Sequence, residues 1–124
     1  MKSENGKVDV QDLARGEIKL ILEALKDKKG EDIRIYDLRG RSSITEYVIL
    51  VTAVSEPHAK ALNENLNSVT KDKRISIIGH EDTSDSGWFI LDAFDFMVHI
   101  QTESMRTLYA LEDLWKDCLE VNFS

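Results

Sequence analysis

The chain has 124 residues, of which 42% are hydrophobic and 31% charged, and a formal net charge of −7 at pH 7. It is long enough for one domain whose core needs no metal or disulfide, and too apolar for a disordered segment. Its acidity works against a generic grip on nucleic-acid phosphates and favours a basic protein partner. Cys118 is the only cysteine, which excludes an internal disulfide and suits a reducing interior. No stretch reaches membrane-spanning length, and Met1 to Lys7 lacks the apolar core of a signal peptide, so a cytoplasmic protein is expected.

Residues 1–7 are expected to form a flexible tail, residues 8–120 the domain, and 121–124 a C-terminal tail. From Asp9, a candidate N-cap, Val10, Leu13, Ala14, Ile18, Ile21, Leu22 and Leu25 follow helical spacing, with Gly30 as the stop. Gly16 weakens the early turns of that helix, because an interior glycine costs about 1 kcal/mol relative to alanine. Asp32 to Leu38 reads as a strand, the Arg39 to Ser43 loop follows, and Thr45 to Thr52 reads as a second strand, the pair forming a hairpin with a wide loop. In that second strand Tyr47 to Val51 is apolar without alternation, which suits a strand covered on both faces.

Ser55 then caps a helix with Pro57 in its first turn, and Ala59, Leu62, Leu66 and Val69 make its buried stripe to about Lys71. Ile75, Ile77 and Ile78 predict a third strand ended by Gly79, giving a right-handed βαβ unit with parallel strands. Trp88 to Leu91 and Phe96 to Gln101 predict an antiparallel pair joined at Ala93-Phe94. Thr102 or Ser104 caps a last helix with the stripe Leu108, Leu111, Trp115 and Leu119, supported by Met105 and Leu114. The fold class is α/β, a single-domain mixed sheet of about five strands flanked by helices in the order αββαβββα.

Side chains that carry chemistry are scattered. His58, His80, His99 and Cys118 lack the close spacings of structural zinc sites. Ser42 and Ser43 sit in a glycine-containing loop without a Gly-x-Ser-x-Gly elbow, and Gly40 stands alone, so no phosphate-cradling loop exists. Glu81, Asp82, Asp85, Asp92 and Asp95 gather around the loop and hairpin, yet the chain has no Asp-x-Asp pair of the kind that holds two divalent ions. No metal, cofactor or catalytic residue is expected. Trp88 and Phe89 are adjacent and point to opposite faces of a strand: either one packs inside while the other anchors a partner, or helices cover both.

The chain closely resembles the Iojap family, also called ribosomal silencing factors, from about Leu13 to Trp115. The pieces that carry the resemblance are DLRGRSSITEYVILVTAVSEPHAKAL from Asp37, the acidic Glu81 to Gly87 loop with Trp88 and Asp92, Asp95 through His99, and Arg106 and Tyr109 with Leu111 to Trp115. The family commonly has Leu-Gly-Asp where this chain has Ala93-Phe94-Asp95. The resemblance implies a nucleotidyltransferase-like fold without the transferase site, and a translation repressor rather than an enzyme. It further implies binding of the large ribosomal subunit through its fourteenth ribosomal protein, which sterically blocks association with the small subunit. Homodimers are known in the family. Expected interface residues are Trp88, Phe89, Met97, His99 and Asp92, with no dominant direct nucleic-acid binding. The alternatives are a metal-dependent nucleotidyltransferase using Glu81, Asp82, Asp92 or Asp95, and a large-subunit assembly factor.

Overall fold

The computed structural model describes residues 16–83 and 87–122; Asp9, Val10, Leu13, Ala14, Asp85 and the 1–7 tail lie outside them. Helix α1 (Gly16–Asp27) buries Ile18, Ile21, Leu22, Ala24 and Leu25. Its exit differs from the expected glycine stop. Lys29 takes the left-handed conformation at φ 61, while Gly30 donates its N–H back to Leu25 O at 2.8 Å, the double-bonded helix end that satisfies orphan carbonyls. Gly30 is needed for space: a Cβ there would meet Val51 Cγ2 at 2.6 Å.

Strands β1 (Glu31–Asp37) and β2 (Tyr47–Ala53) form the expected antiparallel pair, with Ile35 opposite Ile49. All seven β2 residues are buried, as the unalternating apolar run requires. Helix α2 (Glu56–Asp72) begins where predicted, the Ser55 hydroxyl accepting from His58 N–H, and its stripe Ala59, Leu62, Leu66 and Thr70 is buried. Asn65 Nδ2 donates to Ala24 O and ties α2 to α1.

The expected third strand, and the parallel βαβ unit it would close, are corrected. Ile75 to Ile78 are not a strand: Ile75 plugs the core, Ile77 packs against it, and Ile78 is exposed. The strand is the polar segment that follows, β3 (Gly79–Thr83), antiparallel to β4 (Trp88–Asp92). It forms one edge of the sheet, where charges on Glu81 and Asp82 are compatible with water and discourage further pairing. The parallel partner of β2 is therefore β5 (Phe96–Thr102), in register from Tyr47 opposite Phe96 to Ala53 opposite Thr102. The crossover carries α2 plus the β3 segment and β4, and β4 pairs antiparallel with β5 as expected.

The C-terminal helix is not continuous. Helix α3 (Glu103–Tyr109) stops at Ala110, which adopts φ 44 and ψ 51, and a short 3-10 helix (Leu111–Trp115) follows. Thr102 holds the N-cap position without a side-chain cap bond. Leu119 lies on a sixth strand, β6 (Leu119–Val121), antiparallel to β1 with Val121 opposite Ile35. The break lets Leu111, Trp115 and Cys118 drop onto Tyr36, Leu38, Val48 and Leu50, an apolar surface that a straight helix could not follow. Arg106 holds the bend: its guanidinium donates to Glu112 Oε2, Asp32 O and Thr52 Oγ1.

The six-stranded mixed sheet runs β3-β4-β5-β2-β1-β6. Helices α1 and α2 cover one face, over the main core of Ile35, Tyr47, Ile49, Val51, Phe89, Leu91, Phe96, Val98 and Ile100. On the other face α3 and the 3-10 helix pack near β5, β2 and β1, and the β3-β4 side is more open. No helix among the described residues is long and apolar enough to cross a membrane.

Candidate partner-binding face

Strand β4 alternates strictly. Trp88, Ile90 and Asp92 are half-buried, while Phe89 and Leu91 are buried. Cross-strand register places Trp88, Ile90 and Asp92 opposite Gln101, His99 and Met97 of β5, and residues opposite one another in a ladder share a face. Trp88, Asp92, Met97 and His99 thus share the open face. Phe89 does not: it is 6% exposed in the core beneath the helices. Gly87 sets where β4 starts, because it takes φ 72 and a Cβ there would stand 2.6 Å from Thr102 Cγ2.

Rings form a chain across this face. Trp88 lies 4.8 Å from Tyr109 and 5.9 Å from His99 by ring centroids, and Trp115 lies 6.3 Å from His99 and 6.0 Å from Tyr36. All four pairs are tilted, at centroid separations usual for packed aromatic rings. The Trp88 indole N–H donates to His99 Nδ1 at 3.1 Å, which assigns the histidine proton to Nε2. Burial pushes His99 down to about 4, so at neutral pH it is an uncharged acceptor that fixes the indole plane.

The surroundings are apolar with an acidic border. Leu108, Tyr109 and Leu114 are exposed on α3 and the 3-10 helix. A shallow cavity of about 380 Å3 is lined by Gly79, His80, Glu81, Ile90, Asp92 and Met97. Asp92 Oδ1 accepts from Phe94 N–H in the hairpin turn. The other histidines stand apart: His58 bonds Val54 N–H through Nδ1 and meets Lys28 O through Nε2, and His80 is exposed on edge strand β3. Among the described residues no three His, Cys, Asp or Glu side chains gather as metal ligands would. The arrangement can bury aromatic and aliphatic area against a flat partner and meet its cations at the border.

Sequence reasoning placed Leu108 and Trp115 in one helical stripe, Trp115 also in a family motif, and gave Tyr36 no part in this face. The meeting of Trp115 with Tyr36 depends on the left-handed turn at Ala110, which no residue type in the sequence announces.

The family model described as "Ribosomal silencing factor during starvation" matches residues 11–124. The chain belongs to the ribosomal silencing factor family. Ribosomal silencing factor RsfS of Haemophilus influenzae is 34% identical over 98 residues, covering 79% of this chain and 96% of that protein. The chloroplastic protein Iojap of Arabidopsis thaliana is 25% identical over 95 residues, 77% of this chain and 40% of its own length. A crystal structure of a Chromobacterium violaceum protein superposes with a TM-score of 0.77 at 33% identity, covering 82% of this chain and 85% of that one. The similarity to both the bacterial silencing factor and the plant protein agrees with the resemblance carried by the Asp37 to Leu62 segment and the Trp88 strand.

Proposed function

We propose that this chain is a cytoplasmic translation repressor that binds the large ribosomal subunit through its fourteenth ribosomal protein and blocks joining of the small subunit by occupying the joining face. The observation that carries the reading is the aromatic and aliphatic strip of Trp88, Ile90, Met97 and Tyr109 on a chain of net charge −7. Anchors of this kind remove large apolar areas from water at small cost in side-chain entropy, and an acidic surround steers the protein toward a basic ribosomal protein while repelling RNA phosphates.

In this reading Trp88 and Met97 make direct contact, Asp92 meets a cation at the border, and His99 positions the indole. Phe89 supports β4 from behind. The family resemblance extends to a homodimer; one built on this strip would compete with the subunit, and added large subunits would shift it to bound monomer. Co-sedimentation with isolated large subunits tests the reading. Trp88→Ala is expected to weaken binding more than tenfold, as loss of a central aromatic anchor does, without abolishing cooperative unfolding. Unchanged binding would remove the strip from the interface.

A further inference from the structure

Phe94, at the tip of the β4–β5 hairpin, has φ 71, a left-handed conformation that a side chain with a Cβ enters only at a cost and that glycine takes freely. The turn is closed by backbone and by Asp92: Phe94 N–H donates to Asp92 Oδ1 at 2.9 Å, Asp95 N–H to Ala93 O at 2.8 Å, and Ala93 N–H to Phe96 O at 2.9 Å. None of these bonds uses the ring, and the residue is 65% exposed, whereas Ala93 beside it is buried in the helix-side core. A large aromatic side chain therefore occupies a position that favours glycine, with most of its surface in water.

Strand β4 ends at Asp92, with Met97 opposite on the neighbouring strand, and Phe94 stands in the turn just beyond, its N–H held by Asp92 Oδ1, so the tip adjoins the Asp92 end of the face. The tip is bordered by carboxylates. Asp92 and Asp95 flank Phe94, the Asp92 carboxylate accepting from its N–H, and Glu17 has its carboxyl pushed up by burial and by the charge of Asp95. The nearby Arg39 is already paired with Asp37 and lies over the Tyr47 ring at 5.4 Å. An exposed ring among carboxylates suits a guanidinium or ammonium, which gains from the ring face and the anions together.

We propose that Phe94 is a specificity-determining contact at the far end of the docking face, receiving an arginine or lysine side chain of the basic ribosomal partner. This rests on the reading of the Trp88 strip as the interface. The test compares wild type, Phe94→Gly and Trp88→Ala for affinity toward isolated large subunits and for thermal midpoint. Phe94→Gly is expected to weaken binding about five- to tenfold while its midpoint stays equal or rises, because glycine suits the turn. Wild-type affinity in Phe94→Gly, with binding lost in Trp88→Ala, would overturn the Phe94 proposal and leave the strip standing. Wild-type affinity in both variants would overturn both. A lowered midpoint in Phe94→Gly would show that the ring serves folding, and would also overturn the proposal.

Discussion

His99 is a buried imidazole whose unprotonated Nδ1 holds the Trp88 indole N–H. Its folded-state pKa lies near 4, below its ordinary 6.5, so the folded protein prefers the neutral ring. The stability this contributes is fully present above pH 6.5 and is lost as the pH falls from there toward 4, up to about 3 kcal/mol. Urea midpoints should therefore drop between pH 7 and pH 5 in the wild type, and the drop should shrink in His99→Gln. An equal drop in both would assign the acid sensitivity to other groups. The pairing of His99 with Trp88 could not be read from the sequence, because their ring contact depends on the antiparallel register of β4 on β5, while the alternation of Trp88 and Phe89 needed only the period of a strand.

Elements were legible where residue type dictates conformation. The buried run of β2, the Ser55 cap with Pro57 in the first helical turn, and the stripe of α2 follow from burial, capping and periodicity. The isoleucine run at 75–78 misled because apolar content predicts burial and leaves hydrogen-bond pairing open; the ladder goes instead to the polar edge residues 79–83. The C-terminal helix misled because a stripe from Leu108 to Leu119 does not reveal a left-handed alanine. Ala110 at φ 44 yields an element-scale prediction. Ala110→Gly should stabilise the protein by about 0.5–1 kcal/mol, since relief of the Cβ strain outweighs the added freedom of the unfolded chain. Ala110→Val should destabilise it by more than that, and chemical denaturation measures both; a stabilised valine variant would contradict the bend.

At the scale of the molecule, the sheet order puts the open strip beside the acidic edge strand β3, so apolar contact and charge steering operate on one surface. Charge acts mainly on encounter and apolar burial on residence. Raising monovalent salt from about 50 to 300 mM shortens the screening length and should slow association with large subunits roughly tenfold, with dissociation changed less than threefold; stopped-flow binding separates the two. A salt-insensitive association rate would exclude steering. Family membership was legible in the sequence because several separated motifs occur in order, whereas the face required the fold that joins Trp88 to Tyr109 and Trp115. The most direct measurement is subunit joining: purified large subunits saturated with this protein, then mixed with small subunits and followed by light scattering. Wild-type protein should abolish joining and Trp88→Ala should restore it; normal joining under saturating wild-type protein would contradict the account.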